Sequence, residues 1–125
     1  MPMISLDIKT STEMVTMTIK IHAPLNKRQE LFQTLHSLAW STRRKEGCMS
    51  INIYIDTENE DCTFLVEEWK AQADLDEHLL SRDFAVLFGA LSLLHEGPGI
   101  EIRLLRPAGG LEMIEAVRGS GRLEN

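Results

Sequence analysis

The chain has 125 residues, 43% of them apolar and 26% charged, with a formal net charge of −6. That length suits one domain with a real core and is too short for two. The acidic balance argues against nucleic-acid binding, which needs a basic footprint, and no apolar run reaches the length of a membrane span.

The opening residues carry neither the basic region nor the apolar run of a secretory leader, so the expected location is cytoplasmic. Residues 1–12 read as an extended arm in which Ile4, Leu6 and Ile8 alternate. A first strand is expected over 13–23: Val15, Met17, Ile19 and Ile21 fall on one face, and Thr16, Thr18, Lys20 and His22 on the other. Pro24 ends it. A helix over 26–45 follows, with Asn26 as its N-cap. Leu31, Phe32, Leu35, Leu38, Ala39 and Thr42 form its apolar stripe. Arg43, Arg44 and Lys45 suit its last turn, where cations meet the helix dipole, and Gly47 is a natural stop.

A second strand spans 48–56, with Met49, Ile51, Ile53 and Ile55 opposite Ser50, Asn52 and Tyr54. The polar run 57–61 is a turn by composition, and a third strand covers 63–69. A helix over 73–80 carries Leu75, His78 and Leu79 at i, i+3 and i+4, so the imidazole shares a face with two leucines. Ser81 suits the N-cap of a further helix over 82–94. With Phe84, Val86, Leu87, Phe88, Ala90, Leu91 and Leu93 that helix is apolar on most sides, which points to burial against a partner subunit. The segment 95–99 stops it, and a fourth strand over 100–105 alternates Ile100, Ile102 and Leu104. Pro107, Gly109 and Gly110 open a C-terminal extension, residues 107–125, with one or two helical turns over 111–118 and a frayed end.

The order is βαββαβ, an α+β, ferredoxin-like arrangement: a four-stranded antiparallel sheet with helices on one face, over residues 13–106. Leu65 and Trp69 lie opposite Phe64 and Val66, so both sheet faces carry apolar residues. An apolar face left in water is a liability, and a homodimer with packed sheets is expected. Cys48 and Cys62 lie at opposite ends of one hairpin, about 20 Å apart by strand rise. That is too far for a disulfide, which needs Cα atoms within about 7 Å.

Several residues in order resemble the antibiotic-biosynthesis monooxygenase family. They are Thr42-Arg43 followed by EGC at 46–48, E-x-W at Glu67 and Trp69, and H-L-x-S-x-x-F at His78, Leu79, Ser81 and Phe84. The resemblance covers residues 14–105. It implies a dimeric α+β barrel with a cavity between sheet and helices in each subunit. It also implies oxygenases of quinols and polyketide-type aromatics that use no metal or flavin, alongside isomerases, haem-degrading members and members of no known reaction. The haem-degrading members pair a helix histidine with an asparagine in the first strand; this first strand has none, which disfavours haem.

His78 is the leading candidate for a catalytic base, since an imidazole suits proton removal from a phenol or enol. It reads equally as a core histidine. Glu67 either orients His78 or binds a hydroxyl, or else pairs with Lys20 or Arg103 across the sheet. Trp69 either stacks on an aromatic substrate or plugs the strand end, and Phe84 joins it among the candidate substrate contacts. Asn52 and Tyr54 share a strand face, from which they either hydrogen-bond a ligand or meet solvent or the partner. His36, His22 and His95 read as boundary or surface residues. There is no phosphate loop, nucleophile elbow or metal motif. Two classes of function stand, a cofactor-independent oxygenase or isomerase of a small aromatic or enolisable substrate and a non-catalytic dimer that binds a small molecule or another protein, with haem binding through His78 as a third reading.

Overall fold

Alternation of apolar and polar residues sets the first strand, β1, at Val15–His22. Its apolar set is buried and its polar set half-buried along the whole strand. The computed structural model describes residues 13–94 and 99–120. The expected arm at 1–12, most of the 95–99 stop with His95, and the frayed end at 121–125 lie outside them. The order continues with α1 (Leu25–Thr42), β2 (Cys48–Ile55), β3 (Cys62–Trp69), α2 (Gln72–Leu79), α3 (Arg82–Leu94), β4 (Ile100–Leu105) and α4 (Leu111–Gly119). The four strands form one antiparallel sheet in the order β2-β3-β1-β4, the expected ferredoxin-like topology.

Helix α1 opens differently from the expectation. Pro24, with φ −64° and ψ 155°, stands at the N-cap, and no side chain caps the helix. Proline fixes a φ that suits a helix start and has no N–H to satisfy, and its carbonyl accepts from Lys27 N–H at 2.9 Å. Asn26 is therefore inside the first turn and exposed. The helix also ends sooner, at Thr42, so the cationic run 43–45 lies in the following turn. Gly47 closes that turn at φ +86°, a conformation that glycine adopts without a Cβ penalty.

Strand β2 is irregular at its start. Cys48 pairs with Trp69, yet Ser50 pairs with Glu68, so Met49 is an extra residue in the ladder. The slip puts Met49 in solvent, while Ile51 and Ile53 keep the helix side. At the α2–α3 corner Ser81 caps as expected: Phe84 N–H donates to Ser81 Oγ at 3.2 Å.

The core lies between the sheet and α1, α2 and α3. Val15, Met17, Ile19, Ile21, Ile51, Leu65 and Trp69 rise from the strands to meet Leu31, Leu35, Leu38, Leu75, Leu87 and Leu91 from the helices. Each fully buried aliphatic side chain contributes about 1.5–3 kcal/mol by leaving water.

The helices stop short of β4. Ile102 and Leu104 register with Ile19 and Met17, so they face the helix side, yet they are 58% and 52% exposed. On the opposite sheet face Phe64 and Val66 are only half-buried. Helix α4 buries nothing, and Leu111, Met113 and Ile114 stand in water. Both cysteines are free thiols, Cys48 half-buried and Cys62 buried.

Candidate functional site

Strand alternation aims Glu67 into the core. It lies between Leu65 and Trp69 on the helix-facing side of β3 and registers with Met17 and Ile51 on either side. An ionised carboxylate among such neighbours is costly unless it is hydrogen-bonded. Trp69, two residues along on the same face, supplies one bond: its Nε1–H donates to Glu67 Oε1 at 2.9 Å. Glu67 thus makes no cross-strand pair with Lys20 or Arg103; Lys20 instead meets Glu101 at 3.8 Å.

His78 comes down from α2 onto the same carboxylate oxygen. Its Nε2 lies 3.3 Å from Glu67 Oε1. Its ring stacks on Trp69 with centroids 4.8 Å apart and planes 28° from parallel. Phe84 closes the other approach edge-on, 5.5 Å away at 71°. Glu67, Trp69 and His78 are each no more than 1% exposed. Side chains, not open space, fill the gap between sheet and helices at this point.

The array continues outward through Lys45, which the sequence reading assigned to a helix terminus. Its Nζ lies 2.9 Å from His78 Nδ1 and 2.9 Å from Ser81 Oγ, and it ion-pairs with Asp83 at 3.7 Å. An ammonium has three donors and no lone pair, so Nδ1 is the acceptor and the ring proton belongs on Nε2, facing Glu67. The chain runs Asp83–Lys45–His78–Glu67–Trp69, with the first two partly in water and the last three dry.

Two buried polar atoms of this array, Glu67 Oε2 and His78 Nε2, make no hydrogen bond within the protein, and neither does Thr42 Oγ1. Cys48 stands close enough to feel the site. Burial pushes its thiol pKa up, the Glu67 carboxylate pushes it further, and Arg43 and Lys45 pull it down.

Of the six residues singled out from sequence, Glu67, Trp69, His78 and Phe84 come together. Asn52 and Tyr54 do not. They register with Val66 and Phe64 on the far side of the sheet, and both are exposed. His36 is exposed on α1, edge-on to Phe32. Among the described residues no group of three or more His, Cys, Asp or Glu side chains could hold a metal ion, and no helix is long and apolar enough to cross a membrane. A groove of about 320 Å³ between α1 and α3 is lined by Leu38, Ser41, Asp83 and Leu87, among others, so it reaches the solvent end of the array.

The family model for antibiotic biosynthesis monooxygenase matches residues 14–88, which include β1 through the first half of α3 and every member of the array. The chain belongs to the antibiotic biosynthesis monooxygenase family. A solved structure of a conserved protein from Methanosarcina mazei Go1 shares 29% identity and superposes with a TM-score of 0.72, over 78% of this chain and 95% of that one. A Bacteroides thetaiotaomicron protein of unknown function, described as a possible oxidoreductase, gives 0.71 at 16% identity over 78% of this chain and 100% of that one. A candidate antibiotic biosynthesis monooxygenase from Deinococcus radiodurans gives 0.69 at 19% identity over 77% and 94%. The last two speak for the fold alone. None of the curated proteins matches. The relatives are nearly spanned by about four-fifths of this antibiotic biosynthesis monooxygenase family member, so the remaining fifth of the chain is additional to them.

Proposed function

We propose that this protein is a monooxygenase that acts, with no metal or flavin, on a small phenolic or enolisable aromatic of the quinol type. The observation that carries the reading is the unpartnered oxygen of a buried carboxylate, Glu67 Oε2. Its sibling Oε1 is held by the Trp69 indole N–H and faced by His78. A dry carboxylate with one oxygen fixed and one free is arranged to take a proton. Lys45 takes the Nδ1 lone pair of His78, which leaves the ring proton on Nε2 and no lone pair there to accept another. The base is therefore Glu67, with His78 packed beside it and Nε2 without a hydrogen bond of its own.

The reaction follows from that assignment. Glu67 Oε2 takes the proton from the substrate. The resulting electron-rich anion passes one electron to O2, and the substrate radical and superoxide recombine to form a C–O bond. Glu67 returns its proton to the peroxide, which loses water and leaves a carbonyl. Substrate methylene plus O2 thus becomes carbonyl plus water. Apolar walls admit O2 and keep water from the anion. Substrate entry requires Phe84 to give way, since the site is closed by packing; the groove beside Asp83 is the nearest approach.

Haem gains no support from these residues. An axial ligand needs an accessible ring nitrogen; His78 Nδ1 is held by Lys45, and Nε2, which makes no hydrogen bond, is buried beside Glu67 between two aromatic rings. Homodimerisation is part of the proposal, supported by the bare helix-side face of β4 and by the half-buried Phe64 and Val66.

The complete packing of the array favours a second reading, a non-catalytic dimer that binds a small molecule. Oxygen uptake decides between them, measured with no added cofactor across quinols and anthrols for wild type and Glu67→Gln. Uptake that Glu67→Gln abolishes supports the oxygenase. Uptake equal in both removes Glu67 as the base, and a wild type inert toward the panel shifts the balance to the binding reading.

A further inference from the structure

Among the described residues Lys45 is the one cation in contact with the buried array, and its placement is over-determined. Its backbone is fixed on both sides, with its N–H bonded to Thr42 O at 3.0 Å and its carbonyl to Cys48 N–H at 3.1 Å. Its ammonium is shared among His78 Nδ1, Ser81 Oγ and Asp83, all at the α2–α3 corner. We propose that Lys45 is a positioning residue: its ammonium occupies the Nδ1 lone pair of His78, holds the ring neutral as the Nε2–H tautomer, and so leaves the Glu67 carboxylate without a cation directly beside it.

The alternative state shows why this matters. Without a donor on Nδ1, that nitrogen is open to a proton. The ring would then be an imidazolium 3.3 Å from Glu67 Oε1. A buried ion pair at that distance holds the carboxylate's charge in place and makes it a poorer base. With Lys45 in place the positive charge stays one residue further out, where Asp83 and water share it. The groups that face His78 are then Glu67 and Trp69 from β3, Lys45 from the α1–β2 turn, and Ser81 and Phe84 from the α2–α3 corner. Among these Lys45 and Glu67 carry charge, one at each ring nitrogen.

The inference rests on reading Glu67 as the base, but its test needs no substrate. The intact protein is labelled with ¹⁵N-histidine, and the His78 ring nitrogens are observed at neutral pH in wild type, Lys45→Met, Lys45→Arg and Ser81→Ala. Wild type should show a proton on Nε2 alone. Lys45→Met should add a proton at Nδ1, and Lys45→Arg, which restores a cationic donor, should remove it again. Ser81→Ala, which removes one of the ammonium's three partners and leaves His78 Nδ1 and Asp83 in place, should keep the wild-type pattern. A proton on Nδ1 in wild type overturns the proposal whatever the variants do. So does a Lys45→Met protein that folds and keeps Nδ1 bare. Failure of the oxygen-uptake assay would remove the oxygenase reading and leave these nitrogen signals unaffected, so the two failures are distinguishable.

Discussion

Trp69 Nε1–H donates to Glu67 Oε1 at 2.9 Å, from two residues along the same strand and the same sheet face. The spacing of a strand brings the donor to the acid with no help from the rest of the fold. Trp69→Phe would keep much of the ring that His78 stacks on and delete only this donor. A buried acceptor that loses its bond costs about 1–3 kcal/mol. Chemical denaturation of Trp69→Phe should show a loss of that size. A loss under about 0.5 kcal/mol, within the range of a neutral surface change, would mean the bond carries no weight.

Glu67→Gln separates charge from shape. The amide oxygen can still accept from Trp69, so the fold should survive with stability changed by about 1 kcal/mol or less, the net worth of one such bond. A general base contributes typically 10²–10⁴-fold, so oxygen uptake should fall by at least about 100-fold. A variant that unfolds, or one that turns over normally, would each count against the reading of Glu67 as a functional rather than a packing residue.

Much of this site was legible in the sequence, and the omissions have physical causes. Alternation in β3 placed Glu67 and Trp69 together, and helical spacing put His78 beside Leu75 on the buried face; both hold. Of the two readings open for Asn52 and Tyr54, exposure to solvent fits their place in the sheet. Both oppose Ile51 in the strand pattern, and Ile51 registers with Glu67, so they belong on the far face. Lys45 was hidden because its role comes from reach. In the sequence it is one of three cations before a glycine, and only the end of α1 at Thr42 frees it to turn inward. The bulge at Met49 and the proline cap at Pro24 depend on neighbours that a local pattern does not contain.

Gly47 controls where Lys45 stands. It has φ +86°, and a Cβ there would collide with the Asp74 side chain. Gly47→Ala therefore meets both backbone strain and a clash, with a cost of about 1–3 kcal/mol. Its thermal midpoint should drop by several degrees. Crowding from Asp74 alone would be relieved in the Gly47→Ala, Asp74→Ala double variant, so recovery there should be partial. Full recovery would assign the whole cost to the clash and none to the backbone.

The uncovered face of β4 tests the dimer. Ile102 and Leu104 point to the helix side without a helix above them. If a second copy covers them, a carboxylate placed there would be buried without a partner. Leu104→Asp should then sediment as a monomer at micromolar concentration while wild type sediments as a dimer. A Leu104→Asp protein with the wild-type mass would place the contact elsewhere, and a monomeric wild type would end the barrel proposal.

Cys48 offers a readout of the Glu67 charge. Its thiol pKa is raised from the ordinary 9.0, first by burial and then by the Glu67 carboxylate. Only the thiolate reacts with an alkylating agent, so Cys48 should be modified more slowly than a thiol in a short peptide at pH 8. Glu67→Gln removes one of the two causes and leaves the burial, so it should speed the reaction without bringing it to the peptide rate. Cys62, buried and raised chiefly by desolvation, should not respond. The sign for stability follows. A thiol with a raised pKa holds its proton more tightly folded than unfolded, so its contribution is complete below about pH 9 and lost as the pH climbs through the folded value. Denaturation midpoints should therefore fall on the alkaline side, and less steeply in Cys48→Ser. Equal alkylation rates for wild type and Glu67→Gln would mean that Glu67 carries no charge in the folded protein, which would remove it as a base.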